Sequence, residues 1–208
     1  MPEDSDTSRL DEIQEIPHEF VIELHHLVTT NHALVLQAIN ADEDAELAKH
    51  YSDDDEVQRS IESGLQYFYE TLRRAANNLA AVALVTRVQH WMNKFADRIK
   101  VEPGRGLVRA FRVLTAKVGA GPVPVEFFEK LVTVRDSVIH GDGQKTWEHP
   151  PGTTRTVAQE YVNPYDETEI REDQLKEAVA KSIEQVEWFD TRLEEWRAAQ
   201  RRPSAPSE

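Results

Sequence analysis

From Ser52 to Ile99 the chain runs 48 residues without a proline and with a single glycine, Gly64. Within that stretch Leu65, Phe68, Leu72, Leu79, Val82, Val85, Val88 and Met92 recur at mostly three- and four-residue steps, the period that lays one apolar stripe along an α-helix. Ser52, followed by Asp53, Asp54 and Asp55, supplies an N-cap and negative charge where the helix dipole favours it. No internal stop signal interrupts the pattern, so it predicts one long helix or two nearly collinear ones. A helix of that length needs something to lean on, either the rest of a bundle or a partner subunit.

The flanking sequence repeats the helical theme. From Pro17 the run PHEFVIELHHLVTTNHALVLQAI spaces Phe20, Leu24, Leu27, Val28, Leu34, Val35 and Ile39 as a buried helix of about six turns, with a weak spot at Thr29–Asn31. The acidic ADEDAE then opens a further short turn before Tyr51. After the break at Pro103-Gly104, Leu107, Phe111, Leu114 and Val118 mark a short helix that stops at Gly119–Pro122. VEFFEKLVTVRDSVIH gives another, with Phe127 or Phe128, Leu131, Val134, Val138 and Ile139 on its stripe and Gly141 as its stop. A last helix runs from about Arg171 through Leu175, Val179, Ile183, Val186, Phe189, Leu193 and Trp196. Between these two, residues 144–168 are rich in Gly, Pro and Thr, and RTVAQEYV reads as a short strand or hairpin arm. The expected fold class is therefore all-α, a helical bundle with long helices and an irregular segment or short β-hairpin at about 144–168 before the last helix. It forms a single helical domain over residues 17–201, between a flexible acidic N-terminus (1–16) and a flexible tail (202–208).

Composition narrows the chemistry. Cysteine is absent, which removes disulfides, thiolate metal sites and a cysteine nucleophile together. No apolar run approaches the roughly 20 residues that span a bilayer, and MPEDSDTSRLDEI is acidic where a signal peptide is basic, so a cytoplasmic chain with no membrane partner is expected. The formal charge of -14 opposes generic adhesion to nucleic acid, whose phosphates are held by Lys and Arg. The charge is uneven, however. Between Thr71 and Lys117 ten basic residues face two acidic ones, a local balance of +8 that leaves -22 for the remainder. Arg98, Arg105, Arg109 and Arg112 in this window are the candidates for contact with RNA, against the blander reading of solvated helix faces.

The segment LVTVRDSVIHGDG, residues 131–143, sets Arg135 and His140 five positions apart, with Asp136 directly after the arginine and Gly141 after the histidine. Cations near a helix C-terminus are favoured by the dipole and by the last free carbonyls, which is the structural reading of the pair. The functional reading rests on R-D-S-V-I-H-G, which resembles the signature of the HEPN superfamily (higher eukaryote and prokaryote nucleotide-binding domains): an arginine, a polar residue, three further residues and a histidine. The helix layout resembles that family too.

The resemblance implies a metal-independent endoribonuclease without a cofactor, working on RNA as a homodimer whose two motifs meet across a cleft. It also implies a toxin or antiviral-defence effector restrained by an antitoxin or other regulatory protein partner. Arg135 would hold the scissile phosphate with its planar fork. His140 would move a proton to or from the reacting oxygens, since imidazole titrates near neutrality. Asp136 would orient Arg135 or a histidine. Five residues of ideal helix turn about 500°, leaving Arg135 and His140 about 140° apart, so convergence needs a second copy or a distorted last turn. A non-catalytic module of the same fold, binding RNA, nucleotide or protein, is the competing reading, and the acidic surplus motivates it. Of the other histidines, His25 and His32 share a face of the first helix, and His90 adjoins Trp91; both groups read better as helix surface and core than as ligands.

Overall fold

The computed structural model describes residues 16–200; the flexible ends expected at 1–16 and 202–208 lie, except for Ile16, outside the described residues. The elements are α1 (Ile16–Leu24), a π-helical turn (His25–Thr30), α2 (Asn31–Lys49), α3 (Asp55–Arg98), α4 (Leu107–Val118), α5 (Val125–His140), β1 (Thr146–Glu148), β2 (Thr154–Thr156), a 3-10 turn (Gln159–Tyr161) and α6 (Glu172–Gln200). The chain is an all-α bundle with one small antiparallel hairpin before the last helix. No described helix is long and apolar enough to cross a membrane.

The uninterrupted stretch forms a single helix of 44 residues, roughly 66 Å long at the usual rise. Its cap differs from the expected one. Asp54 rather than Ser52 closes the N-terminus, its Oδ1 accepting from the backbone N–H of Glu56 (2.9 Å) and Val57 (3.1 Å), while the Ser52 hydroxyl accepts from Asp54 N–H (3.2 Å). A carboxylate at this position both satisfies the free amides and meets the positive end of the dipole.

Internal contacts divide the chain into two compact units. The first comprises Val85–Val132 with the chain through Leu24 and from Glu177 onward. Its core is aromatic: Phe20 meets Trp91 edge-on at 5.5 Å between centroids, Phe111 lies 4.7 Å from Phe128, and Phe111 meets Phe189 at 5.2 Å. Val85, Val88 and Met92 of α3, Leu107 and Leu114 of α4, and Val186 and Leu193 of α6 complete it; of the stripes expected there, Val118, Val179, Ile183 and Trp196 are only half-buried. Trp91 is fully buried with Lys94 over its ring, and His90 beside it is exposed.

The second unit comprises His25–Leu84 and Thr133–Lys176. Here the expected stripes fail. The N-terminal run is not one buried helix: after Leu24 a π-helical turn, which buries Val28, widens the backbone bonding up to the foreseen weak spot, and the Thr30 hydroxyl bonds back to the His25 carbonyl (3.0 Å). Residues beyond it are rotated off the stripe, so α2 has no buried residue and Leu34 is 57% exposed. ADEDAE continues α2 instead of opening a separate turn. On α3, Phe68 is exposed and Leu79 is 62% exposed, while Tyr69 is buried. Polar contacts tie α2 to α3 in this stretch: Tyr69 Oη donates to Asp42 Oδ2 (2.7 Å), His32 Nε2 pairs with Asn77 Oδ1 (2.6 Å), and Arg73 donates to Asn40 and Glu43. The bond to Asp42, reinforced by burial and by the charges of Asp42, Glu46 and Glu43, pushes the Tyr69 phenol up to about 12.

Candidate functional site

Arg135, Asp136 and His140 occupy the last turns of α5. The helix continues one bond past His140, with Gly141 N–H donating to the Ser137 carbonyl (2.8 Å), and that carbonyl also accepts from Gly143 N–H (3.1 Å). The left-handed residues that turn the chain back are Asp142 (φ 50°) and Gly143 (φ 76°), both tolerant of that region. Gly141 serves a different purpose. A Cβ there would lie 2.8 Å from Cβ and Cγ of Trp147, so glycine is required for the indole to close over the helix end.

Trp147 belongs to β1, which pairs with β2 in the register Thr146↔Thr156, Trp147↔Arg155 and Glu148↔Thr154. The connection is Pro150-Pro151-Gly152-Thr153, with Thr153 N–H bonded to the Pro150 carbonyl (2.9 Å) and Gly152 at φ 82°. Proline at the second position and a positive-φ glycine at the third are what a type II turn demands. The expected strand over RTVAQEYV is therefore shorter and earlier, ending at Thr156 and giving way to the 3-10 turn.

This hairpin brings two residues to the motif that the sequence reading did not single out. Arg155, cross-strand from Trp147, donates from Nη1 to Asp136 Oδ2 (3.1 Å) and from Nε to the His149 carbonyl (2.9 Å). On its other oxygen Asp136 receives Arg135, with Nε at 2.8 Å and Nη2 at 2.7 Å. One buried carboxylate thus holds two guanidinium groups, Arg135 through Nε and Nη2 and Arg155 through Nη1, which fixes the direction of each. His149, at the base of the turn, lies flat on His140: the ring centroids are 4.0 Å apart and the planes 2° from parallel. Both imidazoles are exposed. A continuous set of contacts therefore runs from Arg135 through Asp136, Arg155 and His149 to His140, all within the second unit. The signal in the sequence was P-P-G between two Thr-flanked arms, TWE and TRT, which specifies a hairpin and puts Trp147 and Arg155 opposite one another.

A polar core supports the segment from behind. The buried Ser137 Oγ lies 2.8 Å from the Gln144 carbonyl and 2.5 Å from Thr168 Oγ1. Asn78 of α3 donates to the Thr168 carbonyl (2.8 Å) and accepts from Ile170 N–H (3.0 Å). Beside it a cleft of about 290 Å³ is lined by Arg74, Asn78, Leu79, Val138, Asp142 and Thr168 among others; neither Arg135 nor His140 lines it.

The four arginines expected to meet RNA lie in the first unit. Arg98 is only 13% exposed in its side chain and paired with Asp190 at 3.0 Å, with its guanidinium over Phe95. Arg112 is exposed and paired with Glu129. Arg109 runs across Gly104, and Arg105 is exposed. No family model matches the chain, and neither a curated protein nor a solved structure is found to be similar to it.

Proposed function

We propose that the protein is a metal-independent endoribonuclease of the HEPN type, acting as a toxin or antiviral-defence effector. The observation that carries this reading is the linkage of Arg135 to His140 by way of Asp136, Arg155 and His149, which supplies fixed positive charge and exposed imidazole at one end of α5. Arg135, steered by Asp136, holds the scissile phosphate and stabilises the charge that develops on its oxygens. His140 takes the proton from the ribose 2′-hydroxyl or gives one to the departing 5′-oxygen. The products are a 2′,3′-cyclic phosphate and a 5′-hydroxyl. In the reading taken from the family likeness, the active species is a homodimer, and an antitoxin or other regulatory protein restrains it.

The test is cleavage of RNA in the presence of EDTA. Arg135→Ala and His140→Ala should each lower the rate by about 10²–10⁴-fold while remaining folded, the range spanned by loss of an acid/base group or of one charge-stabilising donor. Full activity in both variants would refute the assigned roles.

A second reading, a non-catalytic helical module that binds RNA, nucleotide or a protein partner, draws support from the ion pairs that occupy Arg98 and Arg112 and from the net charge of -14. Calorimetry separates the two: saturable binding of RNA with no turnover at any concentration favours the module.

A further inference from the structure

We propose that His149 is the second proton-transfer group of this site, paired with His140. The inference rests on the ribonuclease reading and adds to it a residue outside the Arg135–His140 motif. Transesterification of RNA has two proton transfers, one from the attacking 2′-oxygen and one to the leaving 5′-oxygen, and a lone imidazole has to perform both in turn. Two imidazoles stacked at 4.0 Å with parallel planes present their ring edges side by side. That separation is close to the roughly 3.5–4 Å between the two metal ions that serve the attacking and leaving oxygens in two-metal phosphoryl-transfer sites.

The placement of His149 is built rather than incidental. Trp147 closes on Gly141, Arg155 spans Asp136 and the His149 carbonyl, and His149 N–H bonds to the Thr153 carbonyl across the turn (3.0 Å). The backbone on both sides of the ring is thereby tied to the motif helix. Neither ring has a hydrogen-bond or ion-pair partner among the described residues, so the nitrogens of both face substrate or solvent. In the step itself the neutral imidazole of the pair removes the 2′-hydroxyl proton as O2′ bonds to phosphorus. The P–O5′ bond breaks with its electron pair on O5′, and O5′ takes a proton from the other, protonated imidazole. The pair ends with its proton on the opposite ring, and Arg135 and Arg155 face the non-bridging oxygens.

The experiment compares the full chain with His140→Ala, His149→Ala and His149→Phe, in EDTA, on RNA and on a ribonucleoside 3′-(p-nitrophenyl phosphate). The aryl group leaves as its anion and needs no acid. On RNA, His149→Ala and His149→Phe should both fall by about 10²–10⁴-fold with unchanged melting, because phenylalanine keeps the stack and loses the proton. On the aryl ester one of the two alanine variants should recover to near the parent rate, naming the acid, while the other stays low. His149→Phe cleaving RNA at the parent rate would overturn the proposal and make His149 a positioning residue. Both alanine variants staying low on the aryl ester would also overturn it, since the labour is then not divided. Parent activity in His149→Ala, with Arg135→Ala and His140→Ala inactive, would sink this inference and leave the ribonuclease reading standing. RNA left intact by the parent chain would sink both.

Discussion

Among the described residues, the unit around Phe111 packs Phe95, Phe128 and Phe189 together and buries three polar residues, Ser182, Gln185 and Asp190; the unit around Ser137 buries no phenylalanine and encloses five polar ones, Asn78, Asp136, Ser137, Asn163 and Thr168. The second also buries Leu84, Val134, Trp147, Tyr161 and Ile170, so what differs is the balance between apolar packing and hydrogen bonding. Apolar packing is strong and nearly non-directional, so it secures a unit without dictating the angle of any one group. Hydrogen bonds contribute less each but fix direction, and a buried polar group left unpaired costs more than its bond contributed. Arg135, Asp136, His140, His149 and Arg155 all fall in the second unit, and direction is what the proposed phosphate-handling site needs.

The contrast breaks most visibly under truncation. Phe111→Ala should cost about 3–5 kcal/mol, seen as a large drop in the urea midpoint, because it empties the meeting point of Phe128 and Phe189. Asn78→Ala removes little volume but strands the Thr168 carbonyl and the Ile170 N–H, at about 1–3 kcal/mol. Its larger signature should be hydrogen exchange: faster exchange across residues 143–170 with α4 unchanged. Uniform loss of protection would show that the two units do not respond independently.

The smallest effect sharpens the polar side of the comparison. Tyr69 has its pKa raised from the ordinary 10.0 to about 12, so its protonated form is the one the fold favours. A raised value means the contribution is complete below pH 10 and disappears as pH climbs from 10 toward 12. Absorbance titration should show a tyrosine ionising near pH 12, and Tyr69→Phe should delete that step.

What was legible in the sequence divides along the same line. Leu107, Phe111 and Leu114, or Val85, Val88 and Met92, announce their burial by spacing, since in an apolar core period and burial are one signal. Leu34, Phe68 and Leu79 have that spacing and are exposed, because a π-helical turn rotates one helix and polar ties hold another; Ile139, in the last turn of α5, is exposed as well. Tyr69, four residues after Leu65, and Asn78, seven before Val85, share the helical period, but spacing does not name the polar partners they bind. At the site, R-D-S-V-I-H-G exposed three residues as candidates by resemblance. Arg155 and His149 were within reach of hairpin reasoning from P-P-G, but only the register puts Arg155 on Asp136, and only the stack shows what His149 touches.

The central claim, that the end of α5 carries out a proton-transfer cleavage of RNA on one phosphate, is tested most directly by identifying the ends that the protein leaves. Mass spectrometry of RNA incubated with the full chain in EDTA should find 2′,3′-cyclic phosphate and 5′-hydroxyl termini, absent with Arg135→Ala and His140→Ala. Termini bearing 3′-hydroxyl and 5′-phosphate, or cleavage that survives both substitutions, would contradict it.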